Sequence, residues 1–325
     1  MSERPQNLEP VYGAIREKLR AELDFLPDVK SREEIYTRDD LRTADVIFST
    51  WGMIALSKDE ITKYFPNLRS VFYAAGTVQG FARPFIGLGI NVSSAWRANG
   101  VSVSEVAASE IILANKGFFR RRVKSRAQWN GDDPGVFYPG NYKTRVGILG
   151  AGAIGKKVIE LLSKTDLEIL VFDPFLPDEE AERLRVTKCG LHEIFRTCNV
   201  ISNHLANNDG TRGMIDKSCF DLMGDHAVFI NTGRGAQVVP DDLISALKEK
   251  PGRAALLDVT DPCEPPEEKS PLYFMDNVFL TPHIAGSTGY EVRRMAEYMY
   301  EEYRRFVQGE KLLFSVSEKM LETMA

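Results

Sequence analysis

The sequence predicts an α/β protein built from two doubly wound parallel-sheet domains. Three observations carry that expectation. At 325 residues the chain exceeds one comfortable hydrophobic core. Short apolar runs alternate with helical segments in two separate sets. Between the sets lies "NGDDPGVFYPGNYKT" (130–144), dense in Gly, Pro and Asp, which reads as a loop.

In chain order, "ADVIFST" (44–50), "LRSVFYAAG" (68–76) and "INVSSAW" (90–96) read as buried strands. Helical pieces separate them, such as "DEITKYFP", closed by Pro66. A long helical pattern follows from about Val103 to Trp129, unbroken apart from Gly117. The second set supplies the strands "RVGILG", "EILVFD", "NVISNHL", "AVFINTG", "AALLDV" and "NVFLTP". Between two of these stands the helix "PDDLISALKEK", with Pro240 and two aspartates in its first turn. A final helical run covers about Ser287 to Gln308. Strands alternating with helices make parallel sheets.

Hydrophobic content of 43% and charged content of 27% fit a soluble globular protein. A net charge of -5 gives no electrostatic reason to expect nucleic acid or an anionic membrane as partner. The basic run "RRRVKSR" (Arg120 to Arg126) reads as a solvated helix face. The opening "MSERPQNLEPVYGAIREKL" lacks the apolar stretch of a secretory signal, and no apolar run reaches transmembrane length. Cys189, Cys198, Cys219 and Cys263 have no framework spacing, so a reduced, cytoplasmic protein is expected. "CGLHEIFRTC" lacks a paired half-site for zinc and reads as a glycine opening an ordinary helix.

"RVGILGAGAIGKKV" places Gly150, Gly152 and Gly155 in G-x-G-x-x-G register after a strand and at the start of a helix. The glycines serve a tight turn, approach to a pyrophosphate and helix–strand packing. Together with Ala153 and Ile154 they read as cofactor-binding, with the helix N-terminus facing the phosphates. Asp173 ends the next strand eighteen residues after Gly155, where a carboxylate accepts ribose hydroxyls. No nearby arginine awaits a 2'-phosphate, so NAD is expected rather than NADP. His204, Thr232, Gly233 and Asp258 stand at later strand ends and read as lining the same cofactor, His204 through its backbone.

Three further polar groups stand at strand ends: Arg234 in "NTGRG", a carboxylate among Asp258, Asp261 and Glu264, and His283 in "TPHIAGS". Singly each has a plain structural reading, as a cap, a solvated loop acid or a core histidine. Together, beside a nicotinamide, they make a hydride-transfer site for a carboxylated substrate. The arginine holds a carboxylate or carbonyl in a fork, the imidazole moves the hydroxyl proton, and the acid fixes its tautomer. His192 and His226 keep structural readings. Trp51, in "STWGM", either walls the substrate pocket or packs in the core.

The glycine loop, "NTGRG", "DV…EPP" and "TPHIAGS" resemble the D-isomer-specific 2-hydroxyacid dehydrogenases, from about Ser104 to Thr288 and more weakly before. The resemblance implies a Rossmann nucleotide-binding domain over 113–289. It also implies a smaller, flavodoxin-like substrate domain from 1–112 plus 290–325, and a homodimer joined through the nucleotide domain. It implies Arg234 as the substrate arginine, His283 as acid/base and Glu264 as its partner. Gly76 and Thr77 would offer backbone amides to the substrate, with Asn99 nearby. "DVTDPCEPP" carries one residue more than similar sequences, and counting back from "SPLYFMDNVFLTPH" keeps Glu264 in place, with Asp261 the alternative. The activity implied is hydride transfer between NAD(H) and a small 2-oxo or 2-hydroxy acid. The rivals are a non-enzymatic NAD(H)-sensing protein on the same scaffold and formate dehydrogenase. The latter family pairs its histidine with glutamine, against Glu264.

Overall fold

The computed structural model describes residues 1–121 and 137–322. The chain divides into two compact units, Met1–Ser102 with Gly286–Ala325, and Val103–Ala285. The resemblance put these divisions at 112/113 and 289/290. The first falls earlier because the helix Trp96–Asn115 runs through it: Ala98 packs in the core of the first unit, and Ala107, Ala108, Ile111 and Ala114 in that of the second.

In the first unit, β1 (Val46–Ser49), β2 (Ser70–Tyr73) and β3 (Asn91–Ser94) form a parallel sheet in chain order. Ile47 pairs with Val71 and Val71 with Val92. Successive side chains leave opposite faces of a strand. Ile47, Val71, Tyr73 and Val92 therefore enter one core cluster, while Phe48 and Phe72 enter another beneath the helix Glu291–Gln308. Burial on both faces is why these strands read as apolar runs. The helix Lys58–Tyr64 starts on a capping box between Ser57 and Glu60. The C-terminal segment lies along β3, bridging Ser315 to Ser93 in antiparallel sense.

The second unit holds β4 (Tyr142–Leu149), β5 (Asp166–Phe172), β6 (Thr187–Lys188), β7 (Val200–Asn203), β8 (Val228–Asn231), β9 (Ala254–Leu257) and β10 (Val278–Leu280). All are parallel, in the spatial order β10-β9-β8-β7-β4-β5-β6. The order reverses between β4 and β7. In a doubly wound sheet the crevice for a ligand opens beyond the strand ends at that reversal. Separate apolar clusters cover the two faces of this sheet.

Two expectations need correction. The long helix does not start near Val103 and continue to Trp129: it spans Trp96–Asn115. Turns follow, with Gly117 at φ +70°. Asn99 and Gly100 lie inside the helix despite poor helix propensity, because buried neighbours override it. The rest of the expected helix, with the basic run from residue 122 onward and the loop up to residue 136, lies outside the described residues. The two-residue strand β6, with both residues exposed, was not expected. No helix among the described residues is long and apolar enough to cross a membrane.

Candidate active site

The glycine loop joins β4 to the helix Ala153–Leu162. Gly150 has φ +88°, and a Cβ there would stand 2.7 Å from the His204 carbonyl oxygen; one at Gly155 would stand 2.0 Å from that of Gly150. The turn can therefore lie against β7 and under its own helix only with glycine at these points. A Cβ at Gly152 would meet nothing within 4 Å, and the helix starting there, with Ala153 and Ile154 in its first turn, has no side-chain cap. Its free N–H groups and open Gly152 face form a cradle that suits a pyrophosphate. The Asp173 carboxylate accepts the Ala151 N–H at 2.7 Å and the Phe175 N–H at 2.8 Å, which ties the end of β5 to the glycine loop.

His204 is buried. Burial pushes its imidazole down to about 4, so it is neutral, and Nε2 pairs with the Ser202 hydroxyl at 2.9 Å. Its main chain, bonded to the Leu149 carbonyl, forms the wall under Gly150. The Thr232 hydroxyl and His204 Nδ1 are buried without a protein hydrogen-bond partner. An orphaned buried nitrogen on His204, whose carbonyl lies under Gly150, and the open glycine cradle fit a polar cofactor such as NAD.

Arg234 follows β8 in the turn Gly233–Gly235. A Cβ at Gly235 would stand 2.1 Å from the Thr260 carbonyl, so only glycine lets this turn reach the loop after β9. That contact brings Arg234 beside Glu264. Burial pulls the guanidinium down from its ordinary value, and the Glu264 charge opposes this. Arg234 Nη1 donates to the Gly233 carbonyl at 2.7 Å.

Glu264 Oε2 lies 2.6 Å from His283 Nδ1, and Glu264 Oε1 accepts the Thr260 N–H at 3.3 Å. Glu264, not Asp261, holds the imidazole. The two side chains are 35% and 49% exposed. His283 sits at φ +55°, a left-handed conformation uncommon outside glycine and asparagine. Asp258 holds it there. Its buried carboxylate accepts the Thr281 hydroxyl at 2.6 Å, the Ile284 N–H at 2.7 Å and the Ala285 N–H at 2.8 Å. Asp258, expected at the cofactor, thus spends its oxygens on the segment that carries His283.

In the first unit, Gly76 and Asn99 come together: a Cβ on Gly76 would lie 3.7 Å from Asn99 Nδ2. Asn99 Oδ1 accepts the Ser287 N–H at 2.8 Å. Thr77 is exposed. Trp51 is half-buried against two apolar clusters of its own unit.

Several polar residues behind the site are not evident in the sequence. Asn203, Asn231 and Gln237 are buried side-chain amides around the Arg234 turn. Their one trace is that the apolar strands "VISN" and "VFIN" both end on asparagine. Glu110, on the long helix, has a carboxyl oxygen that is buried and unpartnered. Burial, with Asp258 second, pushes its carboxyl up to about 7.

Residues 110–285, more than half of the chain, match the family described as D-isomer specific 2-hydroxyacid dehydrogenase, NAD binding domain. The chain belongs to this family. A putative 2-hydroxyacid dehydrogenase of Bacillus subtilis, YoaD, is 34% identical over 218 residues, which cover 64% of this chain and 62% of that protein. D-3-phosphoglycerate dehydrogenase of Methanocaldococcus jannaschii is 29% identical over 225 residues, covering 68% and 42%. The chain thus spans less than two thirds of these relatives' own length. The crystal structure of D-lactate dehydrogenase with NAD+ from Lactobacillus jensenii superposes with a TM-score of 0.76 at 20% identity, covering 95% of this chain and 97% of that one. That likeness bears on the fold alone.

Proposed function

We propose that this chain is an NAD-dependent D-2-hydroxyacid dehydrogenase that reduces the C2 carbonyl of a small 2-oxo acid and catalyses the reverse oxidation. The observation that carries the reading is the 2.6 Å Glu264–His283 pair, held beside Arg234 at the carboxyl ends of the sheet. A sensing protein would have no use for an imidazole kept in a costly backbone conformation with its Nε2 free.

In this reading the unit around β4–β10 binds the dinucleotide. Gly150, Gly152, Ala153, Ile154 and Gly155 hold the pyrophosphate. Asp173 accepts the ribose hydroxyls, and the His204 backbone, Thr232 and Gly233 line the rest. The bound NADH supplies the hydride. Arg234 orients the substrate carboxylate and carbonyl in a fork. Protonated His283 gives its Nε2 proton to the carbonyl oxygen, and in the reverse direction neutral His283 takes the hydroxyl proton. Glu264 accepts from Nδ1–H and so fixes which nitrogen faces the substrate. Gly76, Thr77, Asn99 and Trp51 are assigned to substrate binding by the family resemblance alone. All four cysteines are free thiols, which supports a cytoplasmic setting. Family resemblance supports a homodimer.

The test is NADH oxidation with glyoxylate, hydroxypyruvate, pyruvate, phenylpyruvate and bulkier 2-oxo acids. The expected result is turnover of at least one acid, lost by about a thousandfold in His283→Ala with NADH binding retained. No turnover of any acid by the unmodified protein would overturn the reading.

A further inference from the structure

We propose that Gln237 is a positioning residue: its buried amide, bonded to Asn203 and through it to Asn231, fixes the main chain of Arg234 relative to the segment beneath the glycine loop. The inference rests on the reading of Arg234 as the substrate arginine.

The strand ladder ends at Asn231, so the peptide groups of the Arg234 turn need other partners. Side chains supply them. The Arg234 N–H donates to Gln237 Oε1 at 3.2 Å, and Asn231 Nδ2 donates to the Arg234 carbonyl at 3.1 Å. Asn203 Nδ2 bridges the two holders, donating to Gln237 Oε1 at 2.5 Å and to Asn231 Oδ1 at 3.0 Å. Asn231 Oδ1 also accepts the Gly233 N–H at 3.1 Å, and Asn203 Oδ1 the Leu205 N–H at 3.2 Å. Gln237 Nε2 uses both hydrogens, on the Leu205 carbonyl at 2.6 Å and the Ala206 carbonyl at 2.9 Å.

Two features make this more than packing. First, all three amides are essentially inaccessible to solvent, and each of their nitrogens and oxygens has a partner. A buried amide is tolerable only when satisfied, and a satisfied network has one geometry. Second, Gln237 reaches in two directions. Leu205 and Ala206 directly follow His204, whose carbonyl lies under Gly150. One side chain therefore sets the Arg234 turn against the wall of the glycine loop. Because Arg234 Nη1 is bonded to the carbonyl of Gly233 in the same turn, a shift of the turn carries the guanidinium with it.

The experiment compares Gln237→Met, alone and with Arg234→Lys, using whichever of glyoxylate or phenylpyruvate the unmodified protein reduces faster. At saturating NADH, Gln237→Met should lower kcat/KM for the 2-oxo acid by about 10- to 100-fold, or about 1.4–2.7 kcal/mol. NADH affinity, read by fluorescence, should change less than about threefold. In the Arg234→Lys background the same substitution should cost less than about threefold, because it acts through Arg234. Equal losses in both backgrounds, or a fall in melting temperature with kcat/KM unchanged, would overturn the proposal. If Gln237→Met does not fold, the smaller lesion Asn203→Ser takes its place. It should cost at least about threefold and also fail to add to Arg234→Lys, and no loss would overturn the proposal equally. Unchanged substrate kinetics in Arg234→Lys alone would strike the reading of Arg234 instead, so the two failures are distinguishable.

Discussion

Replacing Asp258 by asparagine keeps the shape of the side chain and removes its charge, and the contacts define what is lost. In the native protein Oδ1 accepts two donors, from Thr281 and Ile284, and Oδ2 accepts one, from Ala285. The residue is 5% exposed, so water is a poor substitute. An amide has a single acceptor oxygen. With that oxygen in the Oδ1 place, the NH2 group faces the Ala285 N–H, donor against donor. The reversed orientation leaves two donors unsatisfied. The better case loses one charge-assisted bond, about 1.5–3 kcal/mol, and leaves a buried donor unpaired, about 1–3 kcal/mol. The two overlap, so the expected destabilisation is about 2–4 kcal/mol, or a drop in Tm of about 3–6 °C for a chain of this size. The same donors frame His283, so kcat should fall about tenfold or more through misplacement of the imidazole. Thermal melting by circular dichroism and steady-state kinetics on the same preparation are the assays. A Tm within about 1 °C of the parent would refute the energetic argument. A lowered Tm with unchanged kcat would leave Asp258 as a loop anchor with no bearing on the histidine.

Two more expectations follow from the buried and backbone-bonded carboxylates. Glu110 is pushed from an ordinary 4.5 to about 7, so the folded state holds the proton more tightly; its contribution is full below about pH 4.5 and is lost as pH rises through about 7. Glu110→Gln should therefore gain on the parent as pH rises across that window, by at most about 3 kcal/mol at pH 8 in urea denaturation, and an equal difference at pH 5 and pH 8 would count against it. For Asp173, kcat/KM should favour NADH over NADPH by at least about a hundredfold, about 2.7 kcal/mol. Asp173→Ala should erode this mainly by weakening NADH, and equal use of both cofactors by the parent would remove Asp173 from the role.

The second sheet was legible because parallel strands covered on both faces are short apolar runs, and six of its seven strands announce themselves that way. β6 does not, being two exposed residues on an edge. The start of the long helix was misplaced for a related reason. Trp96 reads as part of the strand "INVSSAW", Asn99 and Gly100 have poor helix propensity, and burial overrides that local preference. The pairing of Glu264 with His283 turned on how a loop with one extra residue folds back, which spacing alone leaves between Glu264 and Asp261. The amides at 203 and 231 are polar letters at the ends of apolar runs, where a strand is expected to meet solvent, and Gln237 stands in the turn that follows the second. In one dimension a buried strand end looks like an exposed one.

The same distinction decides what holds His283. Its φ of +55° costs on the order of 1–3 kcal/mol. The Glu264–His283 pair is 35% and 49% exposed, and an ion pair in that setting contributes about 0–1 kcal/mol. It is too weak to hold the backbone where it is. Asp258 supplies three contacts from a buried carboxylate to the surrounding segment, each worth about 1.5–3 kcal/mol. The conformation is therefore set from beneath, by Asp258, and Glu264 is left free to act on the ring nitrogen it touches. Arg234 follows the same plan, with its main chain gripped by Gln237 and Asn231. The groups a substrate would meet are partly exposed and individually weak. Their geometry comes from the buried polar atoms one layer below, and changes in that layer should alter rates before they alter the fold.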